Sequence, residues 1–594
     1  MFRLSADWHC TMPPSCMYHT ISCPFCLSQD ADVDGSGRVL SSPYLQRFFW
    51  RQAGFDKLRH LSGLEDVDAR YDPTVIRTYR TAADAVGSES VAALLEEDWS
   101  QRKPSGGVYP SVFDYHEAYK AGRITPTDVA KALLPLIRKD VKNPTKHSVA
   151  FLDSKEELVL KAAAASSRRY REGIPLSPLD GVPVAVKDEE DVAGYTRSCA
   201  SRLDVTNKDD ATSYCVQAWQ DAGAVLIGKT NMHEFGMDTT NNNPHRGTPR
   251  NPYNDMYYTG GSSGGSAYAT AAGLVPVSMG NDGGGSVRLP CCFCGLFGLK
   301  PSQGRVSIRP TSNLAKSNGV AGPMTANMAD LEIAYRIMAQ PDALDHDARL
   351  FIPPSSTSSL PSRTKVLGIY PDWFAAADPP VRKACQSAID YLTTKCGYST
   401  VNITIPFLAE AQMSHSATIL AEIISGVALR DIPKLTPANQ LLMAIGSQTS
   451  AVHLLQAQKI RQVLMQHLSH LYEQHPRLII VTPTVPTAGW PFEEQDLTYG
   501  YSHGPKTVRS MEYCYVANFT GCPAITAPVG YVEPVTGSGK VPVGLMGMGE
   551  WCAEDELIAF GYDVEKYLNE RYEGGRQRAG NWVDVLALAQ EGVQ

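Results

Sequence analysis

Gly260-Gly-Ser262-Ser263-Gly-Gly-Ser266, followed by Gly280-Asn281-Asp282-Gly283-Gly284-Gly285-Ser286-Val-Arg288-Leu-Pro290, is the stretch from which the rest of the chain is read. Nine of the chain's 48 glycines fall between Gly260 and Gly285. Two serine-bearing glycine loops thus flank a small-residue helix, Ala267–Gly273, and a short apolar strand through Leu274–Met279. Glycine is needed where backbone amides converge or where a chain passes close to a ligand. Three consecutive glycines ending at a serine suit a row of amides facing a developing oxyanion, with Ser286 as nucleophile. Gly284-Gly-Ser286-Val-Arg288 lacks the second glycine of a nucleophile elbow, so this is not the α/β-hydrolase loop. On the residues alone, a flexible or phosphate-cradling loop stands at even weight beside a catalytic one.

Outward from that stretch, the pattern is α/β. Gly181-Val-Pro-Val-Ala-Val-Lys187, Ala224–Ile227, Lys365–Ile369 and Leu478–Val481 are continuous apolar runs bounded by turns, as expected of strands buried on both faces. They alternate with helical stretches at Val381–Thr394 and Ser450–Glu473, which predicts a mixed sheet covered by helices. Thr125 with Asp128 three residues on, and Ser154 with Glu157, read as capping boxes opening two helices, the first shortened or bent by Pro135. Helical spacing of apolar residues is also read from Pro43 to Trp99, before a linker at Lys103–Gly107.

A chain of 594 residues exceeds the ~250–300 at which one core usually stops growing, so several domains or one large one are expected. Its 43% hydrophobic and 20% charged residues exclude a disordered or fibrous chain. A net charge of −8 spread over this length gives no general attraction to nucleic acid or anionic membranes. No run of 18 apolar residues predicts a spanning helix, and Met1–Pro14 lacks the apolar region of a secretory signal. Fourteen cysteines are too sparse for a disulfide scaffold, and a cytoplasmic protein is expected.

Competing motifs read as structure rather than chemistry. Gly223-Ala-Val-Leu-Ile-Gly228-Lys229-Thr230 matches the phosphate-loop pattern, but its middle residues are strand formers and a helix precedes it. His233-Glu234 lacks the second histidine of a zinc-protease helix, since Met237 stands in its place. Cys291, Cys292 and Cys294 sit among apolar residues as buried thiols. Of the amino-terminal Cys10, Cys16, Cys23 and Cys26, only Cys23-Pro-Phe-Cys26 has zinc-ligand spacing, and no matching pair follows. No metal and no cofactor are expected.

Four segments together resemble the amidase signature family: Gly260 to Pro290; Gly181-Val-Pro-Val-Ala-Val-Lys187-Asp188; Gly228-Lys-Thr-Asn-Met-His-Glu-Phe-Gly236; and Gly521-Cys-Pro-Ala-Ile-Thr-Ala-Pro-Val-Gly530. The similarity runs from about residue 110 to 590. Thr239-Thr-Asn-Asn-Asn243, Arg250-Asn-Pro-Tyr253 and the triple glycine are most similar to the plant-type fatty acid amide hydrolases within the family. The resemblance implies a catalytic domain over 111–590, built on a single large mixed β-sheet sandwiched by helices, after a partly helical extension over 1–110.

It also implies a Ser–Ser–Lys triad of Ser286, Ser262 and Lys187, the two serines standing 24 residues apart as is usual in the family. Ser286 attacks the amide carbonyl, Ser262, held in the family by a cis peptide, relays its proton, and Lys187 accepts it as a neutral amine. The amides of Gly283, Gly284, Gly285 and Ser286 are the implied oxyanion hole, and Ser263 supports the network. Asp282 and Arg288 are read as an ion pair bracing the loop. Met237 aligns with an acyl-channel position. Two departures from the family stand out: Asn281 replaces Ser or Thr, and Gly283 replaces a larger residue, as in the plant-type enzymes. The implied function is hydrolysis of a hydrophobic, fatty acyl or aryl, small-molecule amide, with no nucleic-acid partner and a homodimer left open. The alternatives are the amidase component of a tRNA-dependent amidotransferase, or an inactive binding protein on the same fold.

Overall fold

The computed structural model describes residues 42–76, 94–95, 97, 108–354, 365–501 and 503–592. The amino-terminal cysteines and the linker at 103–107 lie outside them. Among the described residues eleven strands form one mixed sheet. In chain order they are β1 Phe151–Asp153, β2 Pro183–Lys187, β3 Val225–Thr230, β4 Val277–Asp282, β5 Phe297–Lys300 and β6 Val320–Thr325, then β7 Lys365–Ile369, β8 Tyr398–Asn402, β9 Leu478–Pro483, β10 Ala524–Val532 and β11 Val541–Met548. Their spatial order is β1-β3-β2-β4-β6-β5-β10-β11-β9-β7-β8. β2 runs parallel to both β3 and β4, and β7 parallel to β8 and β9, while the remaining pairs are antiparallel. Every residue of β2, β3 and β4 is buried, which is why Val184–Val186 of β2 and Val225–Ile227 of β3 read as apolar runs rather than alternating ones.

Thr125 caps its helix as read, accepting from the Asp128 amide while the Asp128 carboxylate accepts from the Thr125 amide, and the helix ends at Ile137 two residues past Pro135. Two helical readings change. The next helix runs Glu156–Glu172 with Lys155 before it and no side-chain cap, because Ser154 Oγ donates instead to Ile227 O at 2.6 Å. Ser154 follows β1, and its neighbour β3 takes the hydroxyl before the helix can. Among the described residues the periodicity from Pro43 gives a helix at Pro43–Gln52 and a 3-10 turn at Phe55–His60, and most of the stretch from 77 to Trp99 lies outside them. Gly54, at φ +83°, ends the first by turning the chain left-handed. Trp50, Phe55 and Leu58 then bury against Ala417 and Ala457 of two long helices, Leu408–Ser425 and Ala451–Gln474.

The phosphate-loop match begins in the turn after the helix Tyr214–Asp221 and runs through the whole of β3, and Lys229 within it is buried against Asp188 at 3.1 Å. Among the described residues no helix is long and apolar enough to cross a membrane.

Candidate active site

β2 and β4 are parallel neighbours, so their carboxyl ends open at one edge of the sheet, the usual place for a ligand crevice in such sheets. Lys187 is the last residue of β2, and Asp282 the last of β4. The loop before the helix Gly264–Ala271 crosses this edge and brings Ser262 over Lys187. That helix is buried along its whole length, which its small residues permit. The Gly261–Ser262 peptide is cis.

Lys187 is fully buried. Its Nζ donates to Ser262 Oγ at 2.9 Å and to Asn281 O at 3.2 Å, and pairs with Glu189 Oε2 at 2.8 Å. Ser262 is buried, whereas Ser286 and Gly283 are half-buried, so the opening of the site lies on the Ser286 side. The two loops are joined where the Ser263 amide donates to Ser286 O at 3.3 Å, and Ser263 Oγ donates to Asn281 O at 3.4 Å. The structure thus brings Lys187, Ser262, Ser263 and the Ser286 loop together from separate stretches of the sequence. Asn281 turns its side chain away from this cluster, donating from Nδ2 to Glu190 Oε1 at 2.5 Å, and offers only its carbonyl to Lys187. The departure at Asn281 therefore leaves Ser262 untouched. Burial pushes the Glu190 carboxyl up, opposed by the hydrogen bonds from Asn281 and Ser213.

Asp282 braces the nucleophile loop. Arg288 reaches it bidentately, Nε to Oδ2 and Nη2 to Oδ1, both at 2.9 Å, with both side chains fully buried. The amides of Gly285 (2.7 Å), Val287 (3.1 Å) and Arg288 (3.3 Å) donate to the same carboxylate, and Asn518 Nδ2 adds a fourth donor at 2.9 Å. Burial alone would raise the Asp282 carboxyl, but the Arg288 guanidinium overrides it and holds it well below the usual carboxylate range. Gly285 sits at φ +123°, and a Cβ there would lie 2.8 Å from that of Cys514, so glycine is required. Its amide is committed to Asp282 rather than to the cleft, a difference from the row of four oxyanion donors that the resemblance implies.

Met237 is buried in an apolar cluster with Met232, Phe235 and Ile423, onto which Ile419 packs. This cluster reaches the site from the side of Gly283, where a Cβ would stand 3.1 Å from Ile419 Cδ1. Glu234 serves structure: it accepts from the Thr436 amide (2.8 Å) and Asn439 Nδ2 (2.9 Å), tying this loop to the helix Pro437–Gly446. Cys291, Cys292 and Cys294 are buried free thiols, and burial pushes that of Cys292 up to about 12. Among the described residues no group of three or more His, Cys, Asp or Glu side chains is placed to hold a metal ion.

Glu189, Glu190, Asn518 and His415 are neighbours of the site that the sequence reading passed over. Glu189 and Glu190 carried a signal, since they follow Lys187 directly. Asn518 and His415 come from distant helices and carried none.

The amidase family model matches residues 138–558. A fatty acid amide hydrolase of Medicago truncatula is 33% identical over 80% of this chain and 79% of its own. A glutamyl-tRNA(Gln) amidotransferase component from Chloroflexus aggregans is 29% identical over 76% of this chain and 95% of its own. A solved amidase structure superposes with a TM-score of 0.66 at 26% identity, covering 77% of this chain and 99% of that one. Family model, relatives and fold concur, and the chain belongs to the amidase family of hydrolases.

Proposed function

We propose that this amidase is a serine amidohydrolase in which Ser286 is the nucleophile, Ser262 the proton relay and Lys187 the base, acting on amides with a hydrophobic acyl group. The observation that carries the reading is the buried Lys187 Nζ–Ser262 Oγ contact of 2.9 Å beside a half-buried Ser286. Asn281 O and Glu189 Oε2 hold the Lys187 Nζ in place against the Ser262 hydroxyl, the position from which it would take the relayed proton.

Ser286 Oγ then attacks the amide carbonyl while its proton passes to Ser262 Oγ, whose own proton moves to Lys187. The amides of Gly283, Gly284 and Ser286 are the donors left to stabilise the tetrahedral oxyanion, each worth ~3–4 kcal/mol in a site of this kind. On collapse the C–N bond breaks, and the proton returns through Ser262 to the leaving amine. Water next attacks the Ser286 ester, gives its proton to the same relay, and releases the carboxylic acid with the serine restored. The apolar cluster around Phe235, Met237 and Ile419 supports a hydrophobic acyl group, as does the similarity to a plant fatty acid amide hydrolase.

A panel of amides from acetamide through aryl to long-chain N-acyl amines, with wild type, Lys187→Ala and Ser286→Ala side by side, tests this. Turnover should rise with acyl hydrophobicity and vanish in both variants. Long-chain turnover no better than that of acetamide would remove the hydrophobic assignment, and glutaminase activity appearing only with a partner protein would replace it with an amidotransferase.

A further inference from the structure

We propose that His415 is a positioning residue for the oxyanion site, holding the Gly283–Gly284 peptide so that the Gly284 amide faces the scissile carbonyl. This rests on the amidohydrolase reading above. His415 lies on the helix Leu408–Ser425, fully buried, and its Nε2 is 2.7 Å from Gly283 O. A carbonyl oxygen can only accept, so Nε2 carries the hydrogen and the ring is the Nε2–H tautomer. Burial lowers its pKa to about 4, which keeps it neutral in the working range. In a trans peptide the carbonyl and the following N–H point to opposite sides of the chain within one plane. Pinning Gly283 O against the helix therefore fixes the Gly284 N–H on the side of the chain away from His415, which leaves it free for the oxyanion.

Three further observations fit a directional role. The ring packs against Tyr515 and Phe519 of one neighbouring helix, with centroids 6.0 and 6.2 Å away, so it is held by a helix rather than by the loop it contacts. A Cβ on Gly284 would come within 3.0 Å of His415 Cε1, so the loop and the ring are fitted closely. Nδ1 is buried with no hydrogen-bond partner. An apolar ring fills the same space without an unsatisfied nitrogen, so packing does not by itself account for a histidine here.

His415→Phe keeps the ring and its contacts but deletes the donor, whereas His415→Gln places an amide N–H the same number of bonds from Cα. His415→Phe is expected to lower kcat about 10- to 100-fold with KM held within about threefold, and His415→Gln to recover at least roughly a third of the wild-type kcat. Equal activity in the two variants, whether high or low, overturns the proposal. Crystals of His415→Phe give a reading that needs no turnover. The Gly283–Gly284 peptide is expected to leave its wild-type orientation, and an unmoved plane overturns the proposal. A wild type that cleaves no amide defeats the amidohydrolase reading instead, and leaves the crystal comparison to judge His415.

Discussion

Replacing Arg288 with methionine removes one half of a fully buried ion pair while leaving an unbranched apolar side chain in its place. Asp282 then keeps its amide donors from Gly285, Val287 and Arg288 but loses both guanidinium contacts at 2.9 Å. Two unit charges about 3 Å apart attract by roughly 5–6 kcal/mol at an effective dielectric of ~20. Breaking such a pair from one side typically costs about 3–5 kcal/mol, because the remaining charge stays buried and uncompensated. The cost should fall most heavily above the ordinary carboxylate range. Asp282 is held below its usual value in the native state, so the pair's contribution is complete above the unfolded-state pKa and is lost as pH falls through the native one.

Urea unfolding followed by tryptophan fluorescence at pH 7 reads the loss. Adding Asp282→Asn to Arg288→Met should recover at least about 1–2 kcal/mol, since the uncompensated charge is gone while one oxygen still accepts from the Gly285 amide. A single variant within about 1 kcal/mol of wild type, or a double variant whose loss equals the sum of the two singles, would refute the bracing role of this pair.

Lys187→Ala should leave the fold intact by circular dichroism and lower kcat at least about a thousandfold, a loss of the size seen when a member of such a triad is removed. Retained turnover would exclude Lys187 as the base. Asp330, pushed up to about 8 by burial, is neutral in the native state where the unfolded chain is ionised, so its burial erodes stability as pH rises from about 4 to 8. Asp330→Asn should flatten that fall in a series of urea midpoints, and an unchanged slope would show that it titrates normally. Thr125→Ala should destabilise by about 1 kcal/mol through loss of its cap, with a matching drop in urea midpoint.

The parts of the fold legible in the sequence were those in which local pattern and burial agree. β2, β3 and β9 stand on continuous apolar runs and are buried throughout, whereas β7, next to the edge strand β8, is buried only at Leu367 and Gly368, and Thr125 opens its helix because nothing competes for its side chain. Ser154 failed the same test because a strand carbonyl, distant in sequence, takes its hydroxyl. The helical spacing after Pro43 stopped at Gly54 for a backbone reason, since one left-handed residue outweighs the apolar periodicity around it. In the site, Lys187, Ser262 and Ser286 were legible because each lies in a segment with a recognisable pattern. The commitment of the Gly285 amide to Asp282 was not, because it depends on which way a peptide plane faces. His415 was illegible for a similar reason: it comes from a helix more than a hundred residues further along the chain, and no local pattern ties it to the glycine loop.

Intact-mass measurement after exposure to a fluorophosphonate tests the central claim, that Ser286 is the nucleophile of an amidohydrolase. A single adduct mapping to the Ser286 peptide in wild type, absent from Ser286→Ala, is the result predicted. An unlabelled wild type, or an adduct that persists in Ser286→Ala, would contradict it.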